Sequence, residues 1–421
     1  MKIETQCLHE GYYPKNGEPR VMPIVQSTTY RFDSTEHIAE LFDMPTEFMY
    51  SRFANPTVDA VEKKLAALEG GVGAMCTSSG QAAALCSILN ICKAGDSFIS
   101  SSTIYGGTFN LFSVTLKKYG IECVFVDPTL SIDELQKYIK PNTKAVFGET
   151  LANPAIKVLD IEKFATFAHN NNLPFLIDNT FPTPVLCRPI EYGADIVIHS
   201  TSKYLDGHAL QVGGVIIDSG NFNWENGNFP DFVEPDSSYH GMQYTKTFGK
   251  MAYIIKARMQ LMRDLGCYPS ANSAFLLNIG IETLPLRMRQ YCKNAEKVAE
   301  FLSKSDKIAS VNYPTVNHDT EQKKLVEKYL PEGCSGVVTF NIKGNKEDAM
   351  RFMNNLKLAS NVVHVADIRT CVLHPASSTH RQLTDEQLVA AGINSSMIRL
   401  SVGLENVEDI IEDIAQALKF I

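Results

Sequence analysis

One lysine stands where a charge is hard to place. The apolar run Ile196-Val197-Ile198 leads into His199-Ser200-Thr201-Ser202-Lys203, and Gly207 and Gly213-Gly214 follow before a second apolar run, Val215-Ile216-Ile217. Lysine is rarely fully buried unless paired. A desolvated lysine loses its proton more readily and becomes an amine nucleophile. Lys203 therefore reads as an amine that condenses with an aldehyde, against the plainer reading of a surface lysine after a strand. Upstream, Leu176-Ile177-Asp178-Asn179-Thr180 ends an apolar run in a carboxylate. A turn or cap aspartate has the same pattern, but a buried acid in that place keeps a ring nitrogen protonated.

Three further groups complete a set. Thr77-Ser78-Ser79-Gly80-Gln81 lies between a strand and a helix, where small residues let backbone amides and the helix dipole meet an anion; Ser200 and Ser202 add two hydroxyls. Tyr105-Gly106-Gly107-Thr108 sets an aromatic ring beside two glycines, which suits stacking on a flat ring or plain core packing. Arg399, in Ile398-Arg399-Leu400-Ser401-Val402-Gly403, is a cation that cannot discharge inside an apolar pattern. It meets either a structural acid or, through a bidentate fork, a substrate carboxylate. Lysine, ring-nitrogen acid, phosphate cradle, aromatic plate and carboxylate fork together describe a site for pyridoxal 5′-phosphate (PLP) and an amino acid.

The elements that must position these groups alternate. Strand-like segments fall at 72–76, 97–101, 122–126, 144–147, 174–178, 196–199 and 215–217, with helical patterns at 58–69, 81–92, 108–119, 132–139 and 161–171 between them. This predicts an α/β fold with a mostly parallel central sheet and helices on both faces, in which ligands bind at the carboxyl ends of the strands. Residues 1–60 show little periodicity and read as an arm that reaches a neighbouring subunit; 61–260 form the large PLP-binding domain and 261–421 a smaller C-terminal α+β domain. Helices are expected at 249–265 and, unbroken, at 273–303. The insertion at 218–246, rich in Asn, Gly, Pro and aromatics, is expected to be an ordered loop near the site or at an interface.

Bulk properties exclude other classes. With 421 residues and a net charge of −8 the chain has no basic footprint for nucleic acid. No apolar stretch is long enough to cross a membrane, and the amino-terminal residues carry no signal-peptide pattern. The ten cysteines form no C-x-x-C pair; they read as core thiols of a reducing cytoplasm, with no metal site.

These residues also resemble a known family. Tyr50-Ser51-Arg52 with Asn55-Pro56-Thr57, Ser79-Gly80, Tyr105-Gly106, Asp178-Asn179-Thr180, His199-Ser200 with Ser202-Lys203-Tyr204, Gly213-Gly214, His374-Pro375-Ala376-Ser377 and Arg399-Leu400-Ser401-Val402-Gly403-Leu404-Glu405 match the Cys/Met-metabolism PLP-dependent enzymes, the cystathionine γ-synthase-like group, over nearly the whole chain. The resemblance implies the PLP-dependent aspartate-aminotransferase-like fold (fold type I) and a homotetramer of two active dimers. It implies that Lys203 carries the cofactor, that Tyr105 stacks on it, that Asp178 meets its nitrogen and that Thr180 also binds it. Ser79, Gly80, Gln81, Ser200 and Ser202 would hold the phosphate, with Tyr50 and Arg52 supplied by the neighbour. Asn153 would lie near the ring oxygen, Arg399, Asn153 and Val365 would contact substrate, and Tyr105 and Tyr50 would relay protons beside Lys203.

Within the family the insertion and Gly280-Ile281-Glu282-Thr283-Leu284 resemble the O-acetylhomoserine sulfhydrylase subgroup, which implies replacement of a γ-acetoxy group by sulfide or a thiol on small-molecule substrates. A methionine γ-lyase or a cystathionine-processing enzyme is the alternative on the same fold, and a non-catalytic regulatory relative a remoter one. Methionine γ-lyases typically carry cysteine where this chain has Gly107, which weakens that alternative. The chain departs from the family at Val363-His364-Val365-Ala366-Asp367, where a Gly-Asp step is usual. His364 there reads as a satisfied core histidine ahead of a substrate contact.

Overall fold

Each apolar run becomes a strand, and the strands form two sheets. The computed structural model describes every residue except 45–46, 317–318, 379–380 and 382–393. The larger sheet contains β1 (Gly73–Thr77), β2 (Ser97–Ser101), β3 (Glu122–Val126), β4 (Thr143–Glu149), β5 (Phe175–Asp178), β6 (Ile196–His199) and β7 (Gly214–Asp218) in the order β1-β7-β6-β5-β4-β2-β3. Pairings among β2 to β6 are parallel, and β7 runs antiparallel to both β1 and β6. The sheet is thus mostly parallel, with one reversed strand that periodicity alone does not distinguish. That reversal keeps β1 pointing the same way as β4, β5 and β6. Thr77, Glu149, Asp178 and His199, the last residues of those four strands, therefore share one edge.

Local chemistry sets the helix that backs this edge. Asn55 caps Pro56–Glu69 by accepting the Thr57 and Val58 amides, Pro56 occupies the first turn, and Gly70 ends it at φ +80. Val58, Val61, Leu65 and Leu68 are buried, each contributing roughly 1.5–3 kcal/mol. That apolar face holds Glu69 inside the protein.

The second sheet contains β8 (Ile308–Asn312), β9 (Val337–Ile342), β10 (Ser360–Asn361), β11 (Cys371–Leu373) and β12 (Met397–Ser401) in the order β10-β11-β12-β9-β8. β10 and β11 are too short for a pattern to register. They bracket the segment that departs from the family.

Several expectations need correction. Residues 1–60 are not free of regular structure: Ile3–His9 and Thr35–Asp43 are helices. The first docks on its own chain, with Cys7 buried and its carbonyl accepting from Lys64 Nζ at 2.9 Å. The helix expected over 273–303 is two, Ala271–Glu282 and Leu284–Ser303. Pro285, which lacks an amide proton, sits in the first turn of the second, where none is needed. The insertion is ordered, with Trp224 stacked on Phe232 and Tyr253 at 4.4 and 5.2 Å between centroids. Its Asp236 accepts from Tyr244 and Gln260, so it packs on the helical segment that follows. Among the described residues, its hydrogen bonds do not reach Lys203.

Candidate active site

The sheet edge builds the site from the acid upward. Asp178 ends β5, and its Oδ1 accepts both the Thr180 amide (2.9 Å) and the Thr180 hydroxyl (2.5 Å). Thr180 Oγ1 in turn accepts the Ser200 amide at 2.9 Å, which ties the turn after β5 to the turn after β6. Burial raises the Asp178 pKa, while Thr180 and the nearby His199 work against the rise. Opposite Asp178 in register, Glu149 ends β4. Burial, and then the charge on Asp178, push Glu149 well above the carboxylate range. The like charge of Asp178 thus adds to burial at Glu149, whereas Thr180 and His199 oppose burial at Asp178. Glu149 Oε2 also accepts the Tyr105 amide at 2.6 Å, which places Tyr105 over the same edge.

The lysine faces the second sheet. Burial, then the charge of Arg399, lower the Lys203 pKa from 10.5 to about 8. Its turn is held from below: the Gly207 amide donates to the Lys203 carbonyl at 2.7 Å. Gly207 has φ +71, and a Cβ there would collide with the Arg287 guanidinium, which donates to the Tyr204, Leu205 and Gly280 carbonyls.

Lys203 Nζ lies 3.4 Å from His364 Nδ1. His364 is therefore not a satisfied core histidine. Its Nε2 is buried without a partner among the described residues, and burial followed by the Lys203 charge lowers its pKa to about 4. The fold brings it here through Ala366, which adopts φ +70 and donates its amide to Ser401 Oγ at 2.8 Å. A side chain at that φ costs roughly 1–2 kcal/mol, which the usual glycine avoids.

Arg399 is 8% exposed, and no carboxylate among the described residues pairs with it. Its Nη1 donates to Asn153 Oδ1 at 3.2 Å and its Nη2 to the His364 carbonyl at 3.1 Å. A buried guanidinium held only by neutral acceptors has capacity left for an anion. The structural-acid alternative for Arg399 is thus not what the chain uses. Val365 turns its side chain into the core, so only its main chain can meet a ligand.

The phosphate-cradle residues converge as well. Ser79 caps the Gly80–Leu89 helix by accepting the Ala82 amide at 3.1 Å, which leaves its hydroxyl proton free to donate. A Cβ on Gly80 would lie 2.6 Å from Ser200 Cβ, so only glycine lets the two turns meet. Gln81 Nε2 donates to Thr108 Oγ1 at 3.2 Å. Ser202 is less free than the sequence implies: its Oγ accepts the Gly213 amide at 2.9 Å and has the Gly213 carbonyl at 3.3 Å. Tyr50 and Arg52 stand apart. Arg52 donates to the Arg263 carbonyl and stacks over the Tyr50 ring, and neither bonds to the Lys203 cluster among the described residues.

This set fits PLP. A depressed lysine, an acid whose Oδ2 receives no hydrogen bond among the described residues, and a glycine-serine turn at a helix start are the donors and acceptors that PLP needs.

Gly107 yields a prediction. A Cβ on it would come within 2.5 Å of Tyr105 Cε1, so cysteine or alanine there must displace the ring. Gly107→Ala is expected to lower kcat/KM by about tenfold, with the folded protein intact, as a misplaced ring loses orientation. A variant with unchanged kcat/KM would show that the Tyr105 position does not matter.

Comparison with known proteins agrees with this geometry. The family model described as Cys/Met metabolism PLP-dependent enzyme matches residues 4–419. An O-acetyl-L-homoserine sulfhydrylase of Leptospira meyeri is 45% identical, covering 100% of this chain and 97% of its own. A homocysteine synthase of Schizosaccharomyces pombe is 43% identical over 99% and 98%. The crystal structure of an O-acetylhomoserine (thiol)-lyase from Campylobacter jejuni, which contains N′-pyridoxyl-lysine-5′-monophosphate, superposes with a TM-score of 0.95 at 37% identity over 100% of both chains.

Proposed function

The chain belongs to the Cys/Met metabolism PLP-dependent enzymes, and from that premise we propose that it is an O-acetyl-L-homoserine sulfhydrylase. It exchanges the γ-acetoxy group of the substrate for sulfide or a small thiol, giving homocysteine or a thioether. The observation that carries the reading is a Lys203 whose pKa falls to about 8 beside an Arg399 that no acid pairs with among the described residues, both of them meeting His364.

Lys203, Asp178, Thr180, Ser79, Gly80, Gln81, Ser200 and Ser202 would hold PLP, with Tyr105 across its ring. When bound, PLP supplies an electron sink for charge that develops beside the amino group. An ionised Asp178 would favour a protonated ring nitrogen. Arg399, steadied by Asn153, binds the substrate carboxylate and fixes the α-carbon near Lys203. Lys203 Nζ removes the α-proton, as an amine with a pKa of about 8 is matched to proton transfer near neutral pH. The γ C–O bond then breaks with release of acetate, a C–S bond forms as the thiol gives up its proton, and Lys203 Nζ returns the α-proton to the product. Tyr105 would relay protons on this side in this reading.

Tyr50, 43% exposed, and Arg52 serve the site of a neighbouring subunit in this reading, within a homotetramer built of active dimers. The ten thiols, none of them in a disulfide, fit a reducing cytoplasm.

The test is to supply sulfide with O-acetyl-, O-succinyl- and O-phosphohomoserine. Homocysteine formation fastest from the acetyl ester is expected. Ammonia and an oxoacid released from methionine, with no thiol exchange, would overturn the reading in favour of a lyase.

A further inference from the structure

The chemistry rests on two segments, 178–180 after β5 and 199–203 after β6, and one buried carboxylate touches both. Glu69, the last residue of the Pro56–Glu69 helix, is fully buried. Its Oε1 lies 2.6 Å from His199 Nε2 and accepts from Asn179 Nδ2 at 3.0 Å. Asn179 is the residue after the acid, and its amide donates to the Ile198 carbonyl at 2.9 Å. His199 opens the turn that leads to Lys203. A buried carboxylate persists where a partner matches its charge. Among the described residues His199 is the ionisable group hydrogen-bonded to it. Glu69 Oε2, Asn179 Oδ1 and His199 Nδ1 are all buried without a partner among the described residues. Three such atoms in one place cost stability, and sequences keep costs of that kind where function requires them.

We propose that Glu69 is a positioning residue: by anchoring Asn179 and His199 on one carboxylate it sets the separation of the Asp178 carboxylate from the Lys203 amine. The inference rests on the reading of Asp178 and Lys203 as cofactor partners and is independent of the thiol or ester used.

Glu69→Gln and Glu69→Ala, purified with PLP, test it. Far-ultraviolet circular dichroism and melting report the fold. Visible circular dichroism of the bound cofactor and its rate of release report the site. For Glu69→Ala the visible signal is expected to change shape, release to quicken about tenfold and kcat to fall about 100-fold, with KM for O-acetylhomoserine within about threefold of wild type. Glu69→Gln keeps an acceptor for Asn179 and loses the charge, so smaller changes of the same kind are expected. If the alanine variant does not fold, the glutamine variant decides. Visible signal, release rate and kcat all within about twofold of wild type in Glu69→Gln would overturn the proposal. A lower melting temperature as the only change would overturn it too, since that marks a purely structural pair. Failure of the wild type itself to form a visible cofactor band would instead overturn the reading of Lys203.

Discussion

Lys203→Ala is expected to give a folded, colourless protein whose turnover is lower by about 10⁴-fold, the loss of the cofactor anchor and the base together. Absorbance after PLP addition and assay with sulfide and O-acetylhomoserine check it; wild-type turnover would remove Lys203 from the mechanism. Stability separates this result from unfolding. Burial and Arg399 lower the lysine from 10.5 to about 8, while the nearby Cys371 opposes the shift. A lysine whose folded pKa is depressed penalises the folded state fully below about pH 8. The penalty is relieved as pH rises toward 10.5, because there the unfolded chain still holds a proton that the native chain has lost. It amounts to about 3 kcal/mol at most. Lys203→Met apoprotein is thus expected to melt above wild-type apoprotein at pH 7, and the gap should close between pH 8 and 10.5. A gap that widens over that range would mean the lysine is not desolvated.

Asp178→Asn is expected to lower kcat by on the order of 10³-fold while cofactor still binds, as one preorganised charge is removed from a water-poor site. The asparagine keeps an oxygen for the Thr180 amide and hydroxyl, so the turn after β5 should stand. The sign for stability again helps. Burial raises the acid's folded pKa above 3.8, so the native state binds more protons than the unfolded chain as pH rises from there, and stability falls with pH through that window. The variant lacks this penalty. Its apoprotein should melt above wild type at neutral pH, with the difference vanishing as pH falls toward 4. Loss of activity in a protein that has become more stable identifies a functional group whose retention costs stability. Equal kcat in the variant would show that the charge on Asp178 is not needed.

His364 and Ala366 show how a departure from a family pattern is spent. The alanine holds a positive φ that glycine takes without cost, and the strained turn sets the histidine ring against Lys203 and its carbonyl under Arg399. One short segment between β10 and β11 therefore touches both the base and the carboxylate fork. The sequence reading favoured a core role for His364, since an isolated histidine in an apolar context usually has one.

Much of the site was legible in the sequence because it obeys a local rule. Strands here are apolar runs, and an ionisable or small polar residue at the end of such a run falls at the carboxyl edge of the sheet. Asp178, Lys203, the Ser79–Gln81 turn and Tyr105 follow from that rule, and the family resemblance adds Asn153. What the sequence could not determine depends on pairs distant in the chain. Glu69 and His199 are 130 residues apart, Lys203 and His364 161, and Arg399 and Asn153 246. No periodicity records such pairs. The same holds for the reversed β7, whose apolar pattern is the same in either direction, and for β10 and β11, which are shorter than the repeat that would reveal them. Sequence determined which groups the protein has for its chemistry. Only the tertiary structure decided which are shifted in pKa, paired or left open, because desolvation and charge act through space.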